Sequence, residues 1–358
     1  MLFAKKNQLF GLDIGSSSLK MTEIRKNGNG YELLNAAMVP LPPEAIVEGA
    51  IMNAPAVVEA IHSLLEKHKP RTRNVATAVS GHSVIIKKIS LPTMSKKELE
   101  QSIQWEAEQY IPFNIQDVNL DYQILSPDGL NAPEGNGAKE MDLLLVAAKK
   151  DLVEDYAGLL REAELKPAVM DVASFAMANM YEANYDFAED EVTALFNIGA
   201  GITNINICKG GTSLFTRDIH FGGNQYNEEI QKALHLSHQD AEDLKLRGAT
   251  RSDQQASLER ILERVTDALL NEMQRSLEFF GATSSGEKIR RVALCGGCAA
   301  MAGLPAKMQE RLGIEVELMD PFRRLAIQVN HLRSGYLQEI APFMGVSVGL
   351  ALRGVGDS

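Results

Sequence analysis

Near the start of the sequence an acid, a turn of small residues and a lysine fall close together: Asp13, then Gly15-Ser16-Ser17-Ser18, then Lys20. The turn carries no bulky side chain, so several backbone N–H groups can converge on one anion, and Lys20 adds a positive charge. Asp13 lies within an apolar run of Leu9, Phe10, Leu12 and Ile14. A carboxylate in such a run is costly unless it meets a metal, water or a donor. The chemistry these residues suit is the holding of an anion beside an acid that can answer a cation. The same residues also read as a polar hairpin with a solvated Asp13, and a single Gly/Ser turn does not decide between the two.

A second copy strengthens the anion reading. Leu195 to Lys209, LFNIGAGITNINICK, has an apolar run, the turn Gly199-Ala200-Gly201, then Thr203 and an alternating strand. A third glycine turn, Leu294-Cys295-Gly296-Gly297, follows a short strand from Arg291 to Leu294 and is expected to lead into a helix. Two β-turn-β units far apart, with a late β-Gly-Gly turn, fit a chain that folds as two similar halves with a nucleotide between them. A dinucleotide-binding G-x-G-x-x-G turn would run straight into a helix, whereas strands follow here.

The elements that must position these turns can be read from periodicity. Leu19 to Ile24 alternates as a second strand, and Tyr31 to Val39 as a third, stopped by Pro40, Pro42 and Pro43. Val57, Val58, Ile61, Leu64 and Leu65 give helical spacing over Ala54 to Lys69, and Val75 to Ser80 is a short strand. From Ser83 to Glu164 the pattern changes to β-α-β-β-α, a compact insertion that a partner could bind. Its first helix starts at Ser95 with a capping-box partner at Glu98, and Leu99, Ile103 and Trp105 are read as its apolar side. Ser126 to Glu140 reads as a loop rich in Pro, Gly and Asn. Asp171 is read as the cap of a small-residue helix from Val172 to Tyr181, with Phe343 to Leu352 as its counterpart late in the chain. Two small-faced helices at the junction of two halves suit a hinge or, equally, tight core packing. In the second half, Phe221-Gly222-Gly223-Asn224 leads into a helix, and Ser237 caps the next. That helix sets Glu242 and Lys245 on one face, either toward ribose hydroxyls or as a surface ion pair. Ser252 to Phe280 is a long amphipathic helix.

Composition narrows the classes. The 358 residues carry a formal net charge of −11, with 45% hydrophobic and 23% charged residues. That is ordinary globular make-up, and the acidic balance argues against nucleic acid as a partner. No window reaches the ~18 apolar residues of a membrane span, and the N-terminus lacks the apolar core of a secretory signal. The 3 cysteines fit a reducing cytoplasm. Cys295 and Cys298 are spaced as C-x-x-C, but no second pair accompanies them, and the 7 histidines show no paired-ligand spacing.

GLDIGSSSLKMTEI resembles the first phosphate motif of the actin-like ATPases, NIGAGITNINI the second, and VALCGGCAAMAGL the adenosine motif. The inserted stretch AVSGHSVIIKKISLPTMSKKELEQSIQWEAEQYIPF resembles PilM, the actin-like family of type IV pilus assembly, more than actin, sugar kinases or the related FtsA. FtsA is expected to end in a basic amphipathic membrane helix, and the ending LRGVGDS is unlike one.

The resemblance implies an α/β, actin-like (RNase H-like) two-domain fold. Residues 1–82 with 165–190 and 338–358 would form the first domain, 83–164 the insertion and 191–337 the second domain. It implies ATP with Mg²⁺ in the cleft. Gly15, Ser16, Ser17, Ser18 and Lys20 would hold the β- and γ-phosphates, and Gly199, Ala200, Gly201 and Thr203 would close over them. Gly223, Glu242 and Lys245 would face ribose and adenine, with Gly296, Gly297 and Cys298 behind the base. Asp13 would hold Mg²⁺ through water. The partner implied is the short cytoplasmic N-terminal segment of a PilN-like inner-membrane protein, docked beside the insertion. Other pilus assembly proteins are further partners it allows, and so is an oligomer. The chain would then be cytoplasmic, at the inner membrane without entering it. Asn197 stands where actin-like second phosphate motifs carry Asp, and no glutamine is placed to activate water near residues 172–181. Hydrolysis is therefore expected to be slow at most. An FtsA-like filament former and a small-molecule kinase, with Asp171 as its acid, are the alternative readings.

Overall fold

The computed structural model describes residues 8–28, 30–125, 140–248, 252–284, 286–327 and 334–356. The expected 126–140 loop lies outside the described residues except for Glu140, as does the very end of the C-terminal segment. In chain order the first half has β1 (Phe10–Ile14), β2 (Ser18–Asn27), β3 (Gly30–Pro40), α1 (Ala54–His68) and β4 (Asn74–Val79). An inserted unit follows, with β5 (Val84–Pro92), α2 (Lys96–Ala107), β6 (Val118–Ile124) and β7 (Glu140–Lys149). Then come α3 (Lys150–Glu162), β8 (Lys166–Val172) and α4 (Ala173–Asn184). The second half has β9 (Val192–Ile198), β10 (Thr203–Lys209), β11 (Thr212–Ile219), α5 (Gly223–Leu234), α6 (His238–Arg247), α7 (Ser252–Thr283), β12 (Ile289–Cys295), α8 (Leu304–Leu312) and β13 (Glu315–Leu318). The chain returns to the first half through α9 (Ser334–Ile340) and α10 (Gly345–Ala351).

The two halves repeat one plan. In the first sheet β8, β4 and β1 are parallel, and β2 and β3 continue it antiparallel. In the second, β13, β12 and β9 are parallel, and β10 and β11 continue it antiparallel. The two-residue strand Ala326–Ile327 extends the first sheet at the β3 edge. Each half thus has a hairpin at the same place in its sheet, β1-β2 and β9-β10. The turns of these hairpins are the serine turn and the Gly199-Ala200-Gly201 turn.

Between the sheets lie α4 and α10. Met177, Met180, Val348 and Ala351 join Ile24 and Leu33 of one sheet to Leu195, Cys208, Ala293 and Cys295 of the other in one buried cluster. Side-chain bonds reinforce both contacts: Ser347 and Thr22 hydroxyls pair at 2.9 Å, and Asn206 Nδ2 donates to the Ser174 carbonyl at 3.0 Å. The small residues read from the sequence therefore form a tight crossing. Asp171 does not cap α4. Val172 is the residue before the helix, and Asp171 Oδ1 accepts from the Val172 N–H at 2.7 Å while Oδ2 accepts from Arg353 at 2.9 Å.

The insertion is a three-stranded sheet in the order β5-β7-β6 with α2 against it. The capping box is present: Ser95 Oγ accepts from the Glu98 N–H, and Glu98 accepts from the Ser95 N–H. Leu99 and Ile103 face the sheet as expected, but Ala107 rather than Trp105 completes the buried stripe. Residues 99, 103 and 107 are spaced by four and share a face, while 105 falls nearly opposite. Trp105 is 65% exposed. Helix α3, counted with the insertion from the sequence, instead buries Tyr156, Leu159, Leu160 and Ala163 with Ile61 and Leu64 in the core of the first half.

Candidate functional site

The serine turn is shaped by its own backbone. The Gly15 N–H donates to the Ser18 carbonyl at 3.1 Å, and Leu41 N–H donates to Ser17 O at 2.9 Å, which leaves Ser16 at the tip. Asp13 and Lys20 are opposite one another in the β1-β2 register, and their side chains meet at 3.2 Å. Both are shielded, at 19% and 11% side-chain exposure, so the acid that is costly in an apolar strand is answered by the lysine. Lys20 Nζ lies over the turn, since a Cβ built on Gly15 would be 2.5 Å from it.

The second turn faces the first. A Cβ built on Gly201 would lie 2.9 Å from Ser16 Oγ. The two halves therefore present the serine tip and the glycine tip to each other at touching distance. Around the second turn three further segments converge. The Gly223 N–H donates to Gly199 O at 2.9 Å and the Asn224 N–H to Ala200 O at 2.8 Å, which ties the start of α5 to the turn. Those bonds use N–H groups that a helix start would otherwise leave free. Beside Gly223 stand Lys245 Nζ and Cys298 Cβ, 3.5 and 3.8 Å from where its Cβ would be.

Several expected residues are occupied by one another. Lys245, 7% exposed at its side chain, donates to the Glu242 carboxylate at 2.7 Å and to the Gly223 carbonyl at 3.3 Å, and Glu242 also accepts from Asn227. The pair is not a solvated surface bridge: Lys245 is turned inward beneath Gly223. Thr203 is fully buried and donates its hydroxyl to the Phe221 carbonyl at 2.7 Å, so it steadies the Gly222-Gly223 turn rather than facing the opposite tip. Gly296 adopts φ +93°, a conformation favouring glycine, and its N–H donates to Pro342 O at 2.7 Å. Gly297 lies against the Phe343 ring, 2.7 Å from its Cδ1 to a built Cβ. A 3₁₀ turn, Gly297–Ala300, follows instead of the expected helix, which begins only at Leu304. Cys295 and Cys298 are free and buried, and burial pushes the Cys298 thiol up to about 12 and raises that of Cys295. A thiol so displaced gives little thiolate for redox or metal chemistry.

In the sequence Asn197 stands out only for the charge it lacks. The structure shows what it does. Its Nδ2 donates to Asn204 Oδ1 at 2.9 Å, Asn204 Nδ2 donates to Asp218 Oδ1 at 2.8 Å, and Asp218 Oδ2 accepts the Gly81 N–H at 2.6 Å. This chain of amides and a buried acid crosses from the second half to the first. Burial raises the Asp218 carboxyl above its ordinary value against the lowering pull of Asn204 and Gly81. Sequence reasoning missed Asn204, Asp218 and Gly81. Gly81 lies 137 residues before Asp218, and only strand pairing between β9, β10 and β11 aligns Asn204 and Asp218 with Asn197.

The family model described as type IV pilus assembly protein PilM matches residues 11–355. This protein belongs to the PilM family. A chain solved in a PilM-PilN type IV pilus biogenesis complex is 33% identical, with a TM-score of 0.85 over 98% of this PilM-family chain and 99% of that one. EutJ of Carboxydothermus hydrogenoformans, 13% identical, has a TM-score of 0.56 over 98% of this chain and 90% of its own. MreB5 of Spiroplasma citri bound to AMPPNP, 11% identical, has a TM-score of 0.52 over 96% and 95%. These last two share the actin-like fold with this PilM-family protein. No described helix is long and apolar enough to cross a membrane.

Proposed function

We propose that this protein is a nucleotide-dependent scaffold of type IV pilus assembly. It binds ATP between its halves and holds the short cytoplasmic N-terminal segment of a PilN-like inner-membrane protein, which keeps it at the inner membrane without insertion. The observation that carries the partner is the near full-length likeness to a chain solved with PilN. The nucleotide rests on the facing tips at Ser16 and Gly201, in a fold that MreB5 uses to bind AMPPNP.

In this reading the Ser16 and Ser17 N–H groups at the tip of the turn and Lys20 take the β- and γ-phosphates, Gly15 and Ser18 hold the turn in shape by their own backbone bond, and Gly199, Ala200 and Gly201 close on the phosphates from the other half. Gly223, the Glu242–Lys245 pair, Gly296, Gly297 and Cys298 bound the nucleoside. Asp13 and the serine hydroxyls are hard oxygen donors, a set that suits Mg²⁺ held mainly through water and phosphate. When bound, that ion would neutralise phosphate charge. Thr203 acts here only by fixing the loop before Gly223.

Turnover is expected to be slow. Asn197 is neutral and committed to Asn204, and Asp171 is buried and paired with Arg353, which raises the work of using either to polarise water. Purified protein with labelled ATP should turn over far below the ~1–10³ s⁻¹ of ordinary enzymes. A rate inside that range would remove the slow-turnover reading. The partner is tested by titrating a fluorescent synthetic peptide of a PilN-like cytoplasmic N-terminus. One saturable site per chain is expected, and a flat anisotropy titration sinks the scaffold proposal.

A further inference from the structure

Three side chains outside the nucleotide-proposed residues come together where the halves meet beside the insertion. Glu48 sits in the tight turn between the paired residues Ile46–Val47 and Ala50–Ile51. His82 follows β4, and His220 follows β11. The rings of His82 and His220 stack with centroids 3.6 Å apart and planes 11° apart, and Glu48 Oε1 lies 3.7 Å from His220 Nδ1. One ligand atom from each of the three falls within 4.8 Å of the others.

The backbone beneath them is fixed. A Cβ on Gly81 would lie 2.8 Å from Glu48 O, and one on Gly49 would lie 2.8 Å from Ser80 O, so the Glu48 turn and the His82 segment are in direct contact. The Tyr156 hydroxyl donates to Gly49 O at 2.9 Å, and Asp218 holds the Gly81 N–H. The unusual feature is His220. Both of its ring nitrogens are shut off from solvent and have no hydrogen-bond partner among the described residues. An enclosed polar atom without a partner is costly, and an imidazole has two to satisfy.

We propose that Glu48, His82 and His220 form a binding site for a divalent transition-metal ion of the zinc class. Two imidazoles and one carboxylate are a known donor set for zinc, with the fourth position left to water. The nitrogens disfavour Mg²⁺ and Ca²⁺, which take oxygen. Parallel stacked rings cannot both aim a lone pair at one ion. Binding therefore requires the exposed His82 ring to swing out of the stack while the exposed Glu48 carboxylate moves in. Glu48 and His82 belong to the first half and His220 to the second, so a bound ion pins the halves together from the side of the insertion. This site is independent of ATP.

The test uses the full chain after chelator treatment, titrated with ZnCl₂ against a chromophoric chelator in excess Mg²⁺. One ion per chain at micromolar affinity or better is expected. Cobalt should give the intense visible bands of a four-coordinate site with no thiolate charge-transfer band, which separates it from the cysteines. H82Q and H220Q should each weaken zinc by more than the ~10–100-fold typical of losing an outer-shell partner. If H220Q fails to fold, H82Q and E48Q, at exposed side chains, decide the matter. Zinc binding weaker than ~0.1 mM, a thiolate band, or an unchanged affinity in H82Q would overturn the proposal.

Discussion

Gly349→Ala is expected to destabilise this protein more than any ordinary single-methyl addition, although alanine is the better helix former by about 1 kcal/mol. The new Cβ would fall onto the Ala176 carbonyl oxygen of α4 and come within 3.0 Å of Ala176 Cα. These are backbone atoms, so no rotamer change relieves the overlap. Nor can α10 back away. On its other side Gly11 of β1 is so close that a Cβ there would overlap Ser347 O and lie 2.6 Å from Ala351 N. The helix is held between two glycine contacts, one on the sheet and one on α4. Overpacking usually costs about 1–3 kcal/mol where side chains can shift, and here the loss should exceed that range. Against a total stability of ~5–15 kcal/mol, this is a large fraction. Urea titration should show a sharply lower midpoint for Gly349→Ala, or the variant should be insoluble. Gly158→Ala is the control. It sits mid-helix in α3 with nothing within 4 Å of its Cβ position, so it should gain roughly the helix-propensity difference. Equal midpoints for the two variants would show that the crossing is looser than described.

Much of this architecture was legible because it depends on local spacing. The period-2 runs flanking Gly15-Ser18 and Gly199-Gly201 fixed both hairpins, and Ser95 with Glu98 fixed the start of α2. The two-half plan followed from recognising that the hairpins repeat. What local spacing could not supply was partnership across the chain. Trp105 is apolar and near an apolar stripe, yet its angular position places it outward, and only counting by fours reveals it. Helix α3 follows β7 without a break, so nothing local assigns its apolar face to the first half rather than to the insertion. Thr203 and Lys245 are expected from the sequence to face the nucleotide, but their hydrogen bonds make them supports for the Gly222-Gly223 loop. Glu48, His82 and His220 carry no spacing signal at all, being joined only when the two halves close.

Lys20→Ala should reduce ATP affinity by at least about 100-fold, or ~2.7 kcal/mol, in a protein that still folds but melts earlier because Asp13 loses its partner. Two losses combine. The ammonium that lies over the 15–18 turn is removed, and a charge pair at ~4 Å is worth up to about 4 kcal/mol at an effective dielectric of 20, less where water screens it. Removing the lysine also leaves Asp13, 19% exposed at its side chain, as an unpaired carboxylate facing the same anion. Attraction is thus exchanged for repulsion. Asp13→Asn distinguishes the parts. In the double variant the repulsion is gone, so affinity should recover partly from the single Lys20→Ala level, and the Mg²⁺ dependence of binding should shrink with the acid that answers the ion. Calorimetry with ATP and with AMP at fixed Mg²⁺ reads the effect, which should be large for the triphosphate and small for the monophosphate. Thermal melts of each variant keep folding separate from binding. If folded Lys20→Ala binds ATP within threefold of the parent, the serine turn does not grip the triphosphate. The facing of Ser16 and Gly201 would then be a packing contact between the halves and nothing more.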